Sequence, residues 1–154
     1  MRPRNRFMTL ATRLTAVAVV LSTTFSAAWA GENCVAVGEV HSAVARRGVD
    51  MASLLRQTVE SEVAKIDPAK TVGKRRAIVS VSLLQMGPSA SNTSLDTCRV
   101  VATVRDANKG ALLATLEGDA KMTHETKREL STDLTMMRSA VQGFVTRLPE
   151  ALTE

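Results

Sequence analysis

Residue types suited to metal or thiol chemistry are scarce in this 154-residue chain, which holds two histidines and two cysteines. His124-Glu125, with Glu129 behind it, looks like part of a zinc-protease helix. That motif needs a second histidine four positions on, so that both rings reach one ion. Arg128 stands there instead, and the other histidine, His41, is far away in sequence. A nucleophilic serine needs a base and an oxyanion hole, and neither G-x-S-x-G nor S-x-x-K occurs after residue 30. The neighbouring carboxylates Glu60 and Glu62 sit on alternate positions of a predicted helix, where side chains diverge. The glycines are scattered, so no phosphate loop is present. Convergent groups are what a catalytic site requires. The expectation is a non-enzymatic protein with no metal and no cofactor.

The cysteines bear on location. Arg2, Arg4, Arg6 and Arg13 form a basic head, an apolar run follows over 14–21, and Ala28-Trp29-Ala30 ends the segment. That order is the layout of a secretory signal peptide with small residues at the cleavage site. The apolar stretch is barely the ~18 residues a membrane span needs, and its second half is rich in Ser, Thr and Ala. Cleavage is expected after Ala30, leaving residues 31–154 as one α/β domain in the periplasm or secreted, with no transmembrane segment. Gly31-Glu32-Asn33 before Cys34 suits lipid attachment poorly. Two cysteines in an exported chain most simply pair. A Cys34–Cys98 disulfide is therefore expected, and a loop of that length would make it worth ~4 kcal/mol.

Removing the leader changes the charge argument. The whole chain carries +5, but four of its 20 basic residues and none of its 15 acidic ones lie before residue 31, which leaves +1. Basicity then gives no footing for nucleic-acid binding. Phe144 is the one aromatic residue left, so stacking platforms for bases and aromatic cages for cations cannot be built.

The elements that must position any site follow from periodicity. A short strand is expected over 34–41. Asp50 is an N-cap candidate for a helix with Met51, Leu54, Leu55, Val59, Val63 and Ile66 on one face. Asp67-Pro68 should end that helix. Residues 77–86 and 97–105 alternate as half-buried strands, with Cys98 on the core side. The turn 106–110 joins the second of these to a further strand over 111–118. The Ser-rich stretch 87–94 reads as a loop; its Asn92-Thr93-Ser94 also matches a glycosylation acceptor. A last helix is expected over 129–148, with Leu130, Leu134, Met137, Val141, Phe144 and Leu148 inward and Pro149 as its stop. Gly143 in that helix suggests a close backbone contact.

The resulting expectation is an α+β fold: a mixed four-stranded sheet in β-α-β-β-β-α order, with two helices packed on one face and a right-handed first crossover. The layout is similar to that of small Gram-negative envelope proteins, a likeness of fold that carries no function. The open sheet face would carry Arg99, Thr103 and Arg105, and the edge strands offer partner strands a place to add. Lys70, Lys74, Arg75 and Arg76 form a basic connection that suits anionic headgroups. The leading expectation is thus an envelope accessory protein that binds an envelope protein or an anionic lipid surface. The alternative is a carrier of a small apolar ligand in a pocket lined by Met51, Met86, Met122, Met136 and Met137.

Overall fold

Alternation of apolar and polar residues builds three long strands. In β2 (Ala77–Pro88), Ala77, Val79, Val81 and Leu83 point to one side and are buried. In β3 (Leu95–Asp106), Cys98, Val100, Ala102 and Val104 do the same. β4 (Leu112–Thr123) pairs antiparallel with β3, and β2 pairs antiparallel with β3 on its other side. The first strand, β1 (Val35–Ser42), pairs parallel with β2, so the sheet order is β1-β2-β3-β4. The computed structural model describes residues 34–123 and 129–153; the predicted leader and His124 lie outside them.

A parallel pair needs a crossover, and α1 (Met51–Val63) supplies it. Asp50 caps it, its carboxylate accepting from the Ala52 and Ser53 amides at 3.1 Å each. The helix ends four residues before the expected stop. Asp67 instead opens a 3-10 turn at Pro68–Lys70, accepting from the Ala69 amide at 2.9 Å. After β4 comes α2 (Leu130–Val145) and then a short α3 (Leu148–Ala151). Pro149 therefore sits inside the first turn of α3, where its missing N–H costs nothing. It does not terminate α2. Both helices cover the same sheet face: α1 lies on β1, α2 on β4 and β3, and the two helices touch each other. Leu55, Val59, Met137, Val141 and Phe144 are wholly buried between the layers. No helix among the described residues is long and apolar enough to cross a membrane.

β4 runs five residues beyond the expected strand, with Ala120 and Met122 on the core side. Gly118 hides this continuation in the sequence, and the structure explains the glycine. A Cβ there would overlap the carbonyl oxygen of Ala140, so α2 rides directly on the strand at this point. Gly143 meets the Gly118 Cα from the helix side, a Cβ on it lying 3.6 Å away. The close backbone contact expected at Gly143 is this crossing.

The Cys34–Cys98 bridge is a correction. The Cys34 carbonyl accepts from the Ala77 amide at 2.8 Å, and Ala77 pairs with Asp106 on β3. Cys98 stands eight residues back along β3, opposite Met86 and Ala120. At about 3.3 Å per residue that is roughly 26 Å, and a disulfide needs Cα atoms within ~7 Å. The cysteines are not bridged. The Cys34 thiol donates to the Thr71 carbonyl at 3.2 Å, and Cys98 packs in the core.

Candidate functional site

Strand and helix directions bring one set of chain segments to one end of the molecule. β1 and β2 start there, β3 ends there and β4 starts there. Each helix runs back against the strand it follows, so the last turns of α1 and α2 arrive at that end too. The connection 70–76 crosses it. Its backbone is pinned: the Thr71 and Val72 amides donate to the Pro68 carbonyl at 3.0 Å, and the Lys74 amide donates to the Thr71 carbonyl at 3.1 Å. Thr71 is buried, and its hydroxyl donates to Pro68. Gly73 takes φ +74°, which closes the turn and leaves Val72 at the apex, 77% exposed. Lys74 folds inward to donate to the Pro149 carbonyl. Lys70, Arg75 and Arg76 are exposed.

The β3–β4 turn joins this surface. The Ala107 amide donates to the Arg76 carbonyl at 2.8 Å. Asp106 is buried and accepts from the Asn108 and Lys109 amides at 2.8 Å each. The Lys109 and Asn108 amides, with the charge of Arg75 near by, hold the Asp106 carboxyl below its ordinary value. Arg105 donates to the Gly110 carbonyl at 3.2 Å, and Leu112 is 55% exposed. Thus Arg105, expected on the sheet face, also belongs to the basic end.

Beside this surface a groove of about 730 Å³ opens between the last turns of α1 and α2. Lys65, Lys70 and Lys74 rim it, and Ile66, Val145 and Pro149 give it apolar walls. Glu62, only 4% exposed, lies on it. Its carboxylate accepts from Lys65 Nζ at 2.6 Å and Gln142 Nε2 at 3.1 Å, with Arg138 Nε at 3.7 Å. Burial opposes its charge, but Lys65 and Gln142 outweigh burial and leave the Glu62 pKa lowered. Lys65 is spent on the buried Glu62 and Lys74 on the Pro149 carbonyl, so part of this lysine cluster serves the fold.

The open sheet face is more self-contained. Arg99 Nε meets Asp119 at 2.8 Å across the β3–β4 pair, and this bond raises the arginine's pKa further. The Thr103 hydroxyl points to the Ser80 carbonyl at 3.5 Å. The edges are blunted as well. Arg56 from α1 donates to the Gly38 carbonyl of β1 at 2.9 Å, and Arg147 donates to the Glu117 carbonyl of β4. β1 also carries a bulge between Val37 and Val40. Occupied edge carbonyls and bulges discourage strand addition.

His41 is exposed, 3.4 Å from Glu39, and no group of three or more metal-ligating residues occurs among the described residues. Met51, Met136 and Met137 are buried in the core, with Met86 and Met122 packed at its margin. The large groove is lined without methionine; a cavity of about 190 Å³ touches Met51 and Met86. On that cavity's wall Arg46 pairs with Asp133, of which the carboxylate is buried. Neither this ion pair nor the Glu62 cluster was legible in the sequence, because each joins residues 76 or more positions apart or depends on a helix crossing.

No protein-family model matches the sequence, and no curated protein matches it. Solved structures do. A hypothetical protein from Chlamydia trachomatis aligns over 77% of this chain and 96% of its own, at 11% identity and a TM-score of 0.57. A putative lipoprotein from Caulobacter crescentus covers 79% of this chain and 89% of its own, at 14% identity and a TM-score of 0.41. A protein from Xanthomonas campestris covers 75% and 79%, at 9% identity and a TM-score of 0.45. The first of these shows a shared fold; at 11% identity it shows the fold alone.

Proposed function

We propose that this chain is an exported accessory protein of the cell envelope that works by binding rather than catalysis, and that it meets an anionic envelope component with its basic end. The observation that carries the reading is the convergence of Lys70, Arg75, Arg76 and Lys109, all exposed, on one end of the fold. Once the leader is removed the chain is almost neutral, so this is a local asymmetry rather than general basicity. The leader layout in residues 1–30 supports export. The carboxylates Asp50, Glu62, Asp106 and Asp133 are each engaged in holding the fold, as a helix cap, a buried cluster, a turn cap and an ion pair. That is how a binding domain uses such groups.

The test is fractionation of the native host with sequencing of the protein's N-terminus. The expected protein begins at Gly31, sediments with the envelope at low ionic strength, and is released at about 1 M salt, where charges are screened within about 3 Å. A chain that begins at Met1 in the cytoplasmic fraction contradicts export. Envelope retention unchanged by salt contradicts charge-driven binding.

A further inference from the structure

We propose that the anionic component is the surface of a phospholipid bilayer, and that Val72 enters its headgroup layer while Lys70, Arg75 and Arg76 sit among the phosphates. This rests on the binding reading above and names its partner. Val72 has the highest exposure of the large apolar side chains on the described residues, 77%, and the next, Leu112 at 55%, lies at the same end. Solvation of a valine at a loop apex is unfavourable, and backbone hydrogen bonds hold Val72 at the apex. The Pro68 and Thr71 carbonyls fix the backbone on both sides, and the Cys34 thiol holds Thr71 from beneath. The apex is therefore a preformed convex tip. A protein partner would have to supply a pocket for it, whereas a headgroup layer yields to it.

Charge supports the same surface. Among the described residues the carboxylates at this end are Glu62, Asp67, Asp106 and Glu150, and Glu62 is tied to Lys65. Asp67 accepts from the Ala69 amide, Asp106 is turned inward to its own loop, and Glu150 lines the groove. The exposed cations Lys70, Arg75, Arg76, Arg105 and Lys109 outnumber them. Exposed Lys and Arg near an anionic bilayer each strengthen attachment about fivefold. The chain also enters the fold here, at Cys34 beside Ala77.

The test is co-sedimentation of the protein, purified in its exported form from its host, with vesicles of phosphatidylglycerol in phosphatidylethanolamine, against vesicles of phosphatidylcholine. Binding to the first and not the second is expected. Lys70→Ser and Arg75→Ser should each weaken it about fivefold, and Val72→Asp about tenfold. All three sites are exposed, so melting temperatures should stay at the wild-type value, which shows that each variant is folded. Equal binding to both vesicle types, no binding to anionic vesicles at low salt, or affinity unmoved by the three substitutions would overturn the proposal. Absent vesicle binding with salt-sensitive envelope retention intact would leave the binding reading standing, with an acidic protein as partner. Loss of both would remove the two together.

Discussion

Replacement of Gly118 by alanine probes the contact that sets how α2 lies on the sheet. The added Cβ would overlap the Ala140 carbonyl oxygen, with the Ala140 carbonyl carbon at 2.9 Å and Val100 Cγ2 at 3.1 Å. The first two are backbone atoms and cannot rotate away, so α2 must lift from β4 by ~1 Å or more. A gap of that size forfeits about a quarter to a half of each contact it opens. The contacts at stake belong to Met137, Ala140, Val141 and Phe144, all wholly buried. Overpacking of a core costs typically 1–3 kcal/mol, and a backbone clash belongs at the upper end, about 3 kcal/mol. For a domain of this size that lowers the melting temperature by roughly 10 °C. Gly143→Ala is the control. Its Cβ would lie at an ordinary 3.6 Å from Gly118 Cα, and alanine favours a helix over glycine by up to about 1 kcal/mol. Urea denaturation of the two variants reads both effects. The reasoning fails if Gly118→Ala falls within ~0.5 kcal/mol of wild type, or if Gly143→Ala proves the more damaging of the pair.

Other substitutions and conditions test separate parts of the account. Thr97 is 5% exposed and its hydroxyl has no hydrogen-bond partner among the described residues; Thr97→Val should raise stability by about 1 kcal/mol in a thermal melt, and a lowered melting temperature would show that the hydroxyl is satisfied. Asp50, Glu62 and Asp106 all have lowered pKa values, so the folded chain binds fewer protons than the unfolded one. Their contribution is complete above the ordinary carboxylate range and is lost as pH falls through the lowered values. Melting temperature should therefore drop on acidification below about pH 4.5, the ordinary glutamate value, and Glu62→Gln should shrink that drop; an unchanged acid limb in this variant would contradict the Glu62 assignment. Denatured without reductant, the protein should take up an alkyl group at both Cys34 and Cys98, whereas uptake only after reduction would restore the bridge.

Much of the fold was legible because burial leaves a period in the sequence. Val79, Val81 and Leu83, or Val100, Ala102 and Val104, alternate without interruption, and Asp50 announces α1. The order of elements and the shared helix face followed from these. What failed was decided by three-dimensional contact. Gly118 looks like a strand end, yet it is the point where a helix touches the strand. Pro149 looks like a helix stop, yet it opens the next turn. The expected Cys34–Cys98 bridge followed from cysteine number and compartment, neither of which knows that the parallel start of β1 and the start of β3 lie at opposite ends. The basic connection was visible as composition, but its meaning was not. The sequence could not show that Val72 stands at its apex, that Lys74 turns inward, or that Arg105 joins it while Arg99 is tied to Asp119.

The most direct test compares envelope retention of two variants in the native host at low ionic strength. Lys70→Glu combined with Arg75→Glu reverses the basic end, and Arg99→Gln releases the sheet-face pair. Loss of retention in the first, with the second behaving as wild type, is the result the account predicts. Retention that survives reversal of the basic end, or that is lost in Arg99→Gln, would contradict it and move the working surface to the open face of the sheet.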